Sequence, residues 1–346
     1  MTSSGFDINK KSLNISDLSG TANPLGMPAS VRHALADNRR VLQSQGDPAC
    51  CALRRSLSVF ECVPENRIAC GNGGDDMLFR LTDACKPKKA VIYTPCSGVY
   101  RAALEECGCE IMEIALNPDR DFGLTSDAAD FIYPGTDMVI IGNPCDPTGG
   151  VVSLYTLLAI AKKCEKTDTI MVCDERFMQF VYRSERYSAN SILNSNIVII
   201  KSFDEIFATA GLPMGYAVFG DESLAEKVRE SGKRAIVSGA AQAAGIAAAR
   251  DDEFVRLSRR FISLERKKLA VQLTRLGLPV LPSKANFLMF RCELPLDEML
   301  RKRGIVIKKC GRELGLSDDY FRVAVGTIDE NKQLVSAIER IFTKKI

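Results

Sequence analysis

The chain has no tryptophan and a single histidine, His33, in 346 residues. A Ser-His-Asp triad, a His-rich metal site or a His-centred proton relay would have to be built on that one side chain. His33 lies on an expected helix over Ala29 to Asn38, where a surface or half-buried role is the plain reading. Long apolar runs are also missing. The purely apolar stretch Leu157 to Ala161 falls far short of the roughly 20 residues a membrane span requires. The N-terminal residues Met1 to Gly20 mix Ser, Asp, Asn and Lys without an apolar segment, so a secretory signal is not expected and the cytoplasm is the default compartment.

Charge of one sign is absent too, with 46 Lys+Arg against 43 Asp+Glu and a formal net charge of +3. No basic block of the kind a nucleic-acid footprint needs is evident, and nucleic acid is not an expected partner. Cysteine, by contrast, is plentiful at 13. The odd count and the lack of paired zinc spacings favour reduced, mostly buried thiols over a disulfide framework, and no metal site is expected. Hydrophobic residues make up 46% and charged residues 26% of the chain. That is ordinary globular usage and excludes disorder, collagen or coiled coil as the main architecture.

From about residue 50 helical and extended signals alternate. Ala90 to Tyr93, Glu110 to Ile114, Asp137 to Gly142, Ile170 to Cys173 and Asn196 to Ile200 read as short strands, most of them separated by amphipathic helix-length segments. The alternation predicts an α/β fold with a mainly parallel sheet covered on both faces. The helical segments Asp221 to Gly232 and Ala240 to Arg275 are expected to lead into a smaller α+β lobe. Its strands would be Leu278 to Leu281, Asn286 to Cys292, Val306 to Lys309 and Tyr320 to Val325. The expected division is 1–30 as an arm and part of the small domain, 31–232 as the large domain, and 233–346 as linking helices and small domain.

Parallel sheets carry ligands at the carboxyl ends of their strands. Four segments sit there. Gly71-Asn72-Gly73-Gly74 turns into a helix whose free N–H groups could hold a phosphate, or is an ordinary tight turn. Asn143-Pro144-Cys145-Asp146-Pro147-Thr148-Gly149-Gly150 ends a strand with a stiff backbone. Asp174-Glu175 follows an apolar run. Lys201-Ser202-Phe203-Asp204-Glu205 leads to Ala210-Gly211-Leu212-Pro213-Met214-Gly215-Tyr216.

In this order the segments resemble the fold-type I pyridoxal-phosphate enzymes of the class I/II aminotransferases, especially the histidinol-phosphate aminotransferase and threonine-phosphate decarboxylase groups. The resemblance extends through Ala22-Asn23-Pro24-Leu25-Gly26, Ala285-Asn286-Phe287, Arg303-Gly304-Ile305 and Phe321-Arg322-Val323. It implies a cofactor pocket at Gly73, Gly74, Ser97, Asp146, Asp174, Phe177, Ser202 and Pro213, with Asn23 and Arg322 toward substrate. It also implies a dimer, as a homodimer or with an active relative.

The sequence departs from the family at that pocket. The lysine that forms the Schiff base corresponds to Glu205, and a carboxylate cannot condense with an aldehyde. The phosphate-gripping arginine corresponds to Pro213, the ring-hydroxyl asparagine to Asp146, a tyrosine to Phe177, the stacking aromatic to Ser97, and a tyrosine lent to the neighbouring subunit to Gln45. These changes make the pocket about four charge units more negative than the family pattern, which opposes a phosphate by several kcal/mol per charge at ~5 Å. Asp174, Ser202 and Arg322 are retained, although Asp174 and Arg322 also suit structural ion pairs. Lys201, Lys284, Lys308 and Lys309 are the candidate replacement amines; their plain reading is solvated charge.

Three functions compete. The first is a binding or regulatory protein that has lost covalent cofactor binding and takes a small ligand, such as an amino acid or its phosphate. The second is the family's pyridoxal-phosphate-dependent amino transfer or decarboxylation. The third is a repurposed enzyme using a carboxylate pair, Glu205 with Asp174 or Asp146, as acid and base. Gly326 matches the transaminase pattern better than the decarboxylase one.

Overall fold

The computed structural model describes residues 15–36, 43, 46–232 and 236–343. The strands are β1 (Ser16–Asp17), β2 (Ile68–Gly71), β3 (Lys89–Thr94), β4 (Glu110–Ala115), β5 (Met138–Gly142), β6 (Ile170–Asp174), β7 (Ile197–Ser202), β8 (Gly215–Phe219), β9 (Phe287–Arg291), β10 (Ile305–Val306), β11 (Lys308–Cys310) and β12 (Tyr320–Ala324). The α-helices are α1 (Ala29–Ala36), α2 (Cys51–Glu61), α3 (Gly73–Cys85), α4 (Gly98–Glu106), α5 (Leu154–Thr167), α6 (Glu222–Ser231), α7 (Gly239–Ala248), α8 (Asp252–Arg275), α9 (Leu296–Arg301) and α10 (Ile328–Thr343).

The main sheet has seven strands in the order β2-β8-β7-β6-β5-β3-β4. Only β8 runs against the rest, pairing antiparallel with both β2 and β7. Residues of β5, β6 and β7 are buried almost without interruption, as strands covered on both faces must be, whereas β4 at the edge exposes Glu110 and Glu113. Alternate side chains feed two cores. Val139, Ile141, Met171, Cys173, Ile197 and Ile199 pack on one face of the sheet, while Met138, Ile140, Val172, Val198 and Ile200 pack on the other.

A second sheet, β11-β12-β9, is antiparallel, and β1 pairs with β10 in register Ser16 to Ile305. The α/β class and mainly parallel sheet are as the alternation predicts. β8 was not foreseen as a strand. In the small lobe, the expected strand Leu278 to Leu281 reduces to one bridge between Val280 and Phe290. Val306 to Lys309 is divided between β10 and β11. The long segment after Ala240 is two helices, broken before Asp251, whose side chain caps α8 by accepting from the Phe254 N–H. His33 is exposed on α1, and the cysteines are free thiols, eight of them buried.

Candidate functional site

Asp174 at the end of β6, through Arg176, and Asp204 just past the end of β7 are both brought to the N-terminus of α3. β8 enters beside it so closely that a Cβ on Gly215 would lie 2.2 Å from the Gly73 carbonyl carbon; only glycine permits that approach. Gly73 itself has φ of +91°. The end of α3 therefore presents bare backbone, and three side chains converge on it. Asp204 Oδ2 lies 3.0 Å from where a Gly73 Cβ would be, Pro213 Cβ lies 3.7 Å from the same point, and the Arg176 guanidinium lies 3.3 Å from where a Gly74 Cβ would be. Asp76 accepts the Asn72 N–H at 2.7 Å. The glycine turn is a real helix N-terminus, and its approach is already lined by protein.

Arg176 is the residue the sequence reading passed over. Its Nε donates to Asp174 Oδ1 at 3.0 Å, and its Nη1 lies 2.5 Å from Asp75 Oδ1. Tyr100 donates its hydroxyl to Asp174 Oδ2 at 2.9 Å, so both oxygens of that carboxylate are engaged. Burial works against the guanidinium's charge, but the carboxylates of Asp174, Asp75 and Glu205 outweigh it and hold its pKa well above the usual range. The spacing gives half of the signal, since a long cation two residues beyond a strand-end aspartate can fold back onto it; the room that Gly74 leaves for the guanidinium shows only in the packing.

Glu205 stands at the lysine position. Burial pushes its carboxyl up to about 7, and the nearby Asp204 adds to this against the pull of Arg176. Burial likewise lifts Asp204 to about 6, although Asp204 Oδ1 accepts the Met214 N–H at 2.8 Å. Glu205 Oε2 and Arg176 Nη2 are both buried and find no hydrogen-bond partner among the described residues.

The small sheet supplies the opposite wall. Arg322 on β12 reaches Asp146 Oδ1 with Nη1 at 2.5 Å and donates Nη2 to the Ser19 carbonyl at 2.7 Å. Its guanidinium carbon sits 5.1 Å above the Phe287 ring, which in turn meets Phe177 edge-on at 5.1 Å. Burial alone would raise the Asp146 pKa, but Arg322 and Lys308 more than offset it and hold the carboxyl below its ordinary value. The reckoning of four extra negative charges is corrected accordingly. Asp146 is neutralised by Arg322 and Lys308, and Arg176 adds a cation that reckoning omitted.

The remaining expected residues are placed as follows. Asn23 is buried and its amide donates to the Ile206 carbonyl at 2.8 Å and to Ser258 Oγ at 2.7 Å, while its backbone N–H donates to the Glu205 carbonyl. It pins the 205–206 segment. Ser202 Oγ accepts the Asp204 N–H at 3.0 Å. Ser97 precedes α4 and makes no side-chain cap bond. Gln45 lies outside the described residues.

The four lysines divide. Lys201 is not a solvated charge: it is buried and pairs with Glu61 Oε2 at 2.5 Å. Lys284 lies over the Tyr187 ring at 5.1 Å, and Lys309 is exposed. Of the four, Lys308 stands at this site, its Nζ 4.0 Å from Asp146 Oδ2. Among the described residues no His, Cys, Asp and Glu group is suited to a metal ion.

Aminotransferase class I and II is the family that matches, over residues 12–338, and the chain belongs to it. It is 30% identical over 331 residues to the threonine-phosphate decarboxylase of Salmonella typhimurium, covering 94% of this chain and 91% of that protein. It is also 30% identical over 335 residues to a histidinol-phosphate aminotransferase of Ralstonia nicotianae, covering 93% and 87%. Among solved structures, the histidinol-phosphate aminotransferase of Clostridium acetobutylicum superimposes with a TM-score of 0.89 at 24% identity, covering 95% of this chain and all of that one. The aspartate aminotransferase of Thermus thermophilus with maleate gives 0.86 at 21%, covering 96% and 92%. These likenesses establish the aminotransferase fold.

Pyridoxal phosphate, the cofactor of the family, can be tested against the residues present. Covalent attachment needs an amine, and residue 205 is an acid. A ring nitrogen facing Asp174 would compete with the Arg176 guanidinium already bonded to it. A phosphate at the start of α3 would face Asp204 and Pro213 on the Gly73 side, and the one cation there is Arg176, already paired with Asp174 and Asp75. The chain does not fit covalent attachment at position 205.

Proposed function

We propose that this member of the family is a binding or regulatory protein that takes a small molecule, such as an amino acid or its phosphate, without forming a Schiff base at residue 205. The observation that carries the reading is Arg176: its guanidinium is bonded to the carboxylate a cofactor ring would need, beside an acid where the amine would be. On this reading pyridoxal phosphate binds weakly or not at all. The protein works in the cytoplasm, as a homodimer or paired with an active relative.

A second reading is pyridoxal-phosphate-dependent amino transfer or decarboxylation. Family membership and the names of the relatives described above favour it, and Lys308, near Asp146, is the amine that would serve. The carboxylate-pair enzyme has less support, because Asp174 is committed to Arg176 and Tyr100, and Asp146 to Arg322. Glu205, near neutrality, is then left without either expected partner.

The test is to add pyridoxal phosphate to purified protein, follow the yellow absorption of an imine, reduce with borohydride and map the labelled peptide. No stoichiometric phosphopyridoxyl group is expected. One on Lys308 or any other lysine of the cleft overturns the first reading in favour of the second. The variant carrying Glu205→Lys, Pro213→Arg and Arg176→Ala is expected to gain the absorption, and the same variant retaining Arg176 to gain much less.

A further inference from the structure

Helix α8 shows two faces. Val255, Ile262, Leu269 and Leu273 are buried in the cores. On the outward side Leu257, Leu264 and Val271 are 55%, 54% and 50% exposed. They recur every seven residues, two turns of helix, so they form one line about 21 Å long with only slight drift around the axis. Scattered exposed leucines are unremarkable; three in register on one helix make a narrow apolar line along its outward face.

The stripe runs into a groove of about 440 Å³ where α8 faces the start of α10, and Val271 shares that groove with Leu269 and the 46% exposed Ile328. The helix carries seven basic and three acidic residues, an excess of four on one element of a chain whose net charge is +3. Arg256, Arg260, Lys267 and Arg275 are exposed beside the stripe and make no ion pair within the described residues. Lys268 is tied to Glu265 at 2.7 Å, and Lys332 beside the groove lies 3.7 Å from Asp329.

We propose that this face of α8 is a docking surface for an acidic amphipathic helix of a partner protein. Its apolar residues would lie along Leu257, Leu264 and Val271, and its carboxylates would meet the flanking arginines and lysines. The stripe is too narrow for a lipid surface. It is one side chain wide, and Phe254 and Phe261, the aromatic residues of α8, are partly buried against the core rather than displayed. The inference is independent of what the cleft binds, and it holds or fails whether or not the protein is catalytic.

The probe is a fluorescent peptide about three heptads long with Leu at a and d and Glu at e and g, whose charges keep it monomeric. It is titrated into the intact protein, and anisotropy is read at low and high salt. Saturable binding is expected, weakened by salt and roughly tenfold by Leu264→Asp or Lys267→Glu, with the thermal melt of both variants unchanged because both positions are exposed. A Lys-for-Glu peptide and a scrambled Glu/Leu peptide are expected not to bind. The proposal is overturned if the acidic peptide does not bind, if the scrambled peptide binds equally, or if Leu264→Asp has no effect. It is also overturned if only vesicles of phosphatidylcholine and phosphatidylserine bind in a Leu264-dependent manner.

Discussion

Two clusters of buried charge flank the end of β7, and they are built differently. In the first, Lys201 pairs with Glu61 at 2.5 Å, Tyr216 donates to the other Glu61 oxygen at 2.6 Å, and Glu175 accepts from Ser188 and from the Ala189 N–H. Each carboxylate oxygen has a partner. In the second, Arg176 spans Asp174 and Asp75, yet Arg176 Nη2 and Glu205 Oε2 are buried without one. A closed network is what structural charge requires, since an unpaired buried polar atom costs about 1–3 kcal/mol. An open one at the carboxyl edge of a parallel sheet is the kind of departure from full satisfaction expected of a functional site rather than a structural one.

The sharpest way to break this contrast is to remove a member of the closed cluster. Lys201→Met leaves Glu61 buried and uncompensated, and is expected to cost about 3–5 kcal/mol, read as a lower urea midpoint with unchanged slope. A loss below 1 kcal/mol would mean the cluster is not structural.

The next effect comes from pH. Burial raises the carboxyls of Glu205 and Glu175 to about 7 from 4.5. The folded state then holds protons the unfolded chain has released, so stability is greatest below the unfolded value and falls as pH rises through the folded one. The window is therefore roughly pH 4.5 to 7, with an upper bound of about 3 kcal/mol per group. Glu205→Gln is expected to flatten part of that slope in denaturation curves recorded across the window. An identical slope in the variant would show that Glu205 ionises freely in the fold.

A smaller loss is expected at the open cluster. Arg176→Met removes the Asp174 and Asp75 contacts, but Asp75 is solvent-exposed and Asp174 keeps two donors, the Tyr100 hydroxyl and the backbone N–H of residue 176, so about 1–3 kcal/mol is expected. The more telling measurement is ligand-induced: the variant should show a larger thermal shift with pyridoxal phosphate than the native protein does. Equal shifts would show that the guanidinium obstructs nothing.

The difference between the clusters also explains what could be read without coordinates. The alternating strands and the ordered motifs carried the fold, because core periodicity and strand-end loops are local signals. β8 was missed since Gly215 to Phe219 is short, antiparallel and entered from a loop with no change of period. Lys201 was read as solvated because lysine usually is. Strand parity alone sets it with Ile197 and Ile199 on a core face, and that was legible. The depth at which it meets Glu61, 140 residues earlier, was not. Arg176 was overlooked for a related reason: its role depends on the space left by Gly74, a fact of packing rather than of spacing.

The smallest effect concerns the wall opposite the open cluster. Lys308 is about one-third exposed and stands 4.0 Å from Asp146, behind the closer Arg322 contact. Lys308→Ala should therefore cost less than ~1 kcal/mol at neutral pH, as for partly solvated pairs. Asp146 is an acid held below its ordinary value, so its contribution exists above the unfolded value and disappears as pH falls through the folded one. Removing Lys308 leaves that carboxyl with one cation fewer, and the acid edge of the stability curve should move to higher pH by less than it moves in Arg322→Ala. If Lys308→Ala moves it further, Asp146 belongs electrostatically with Lys308, and the Arg322 guanidinium is the group left free to meet a ligand's carboxylate.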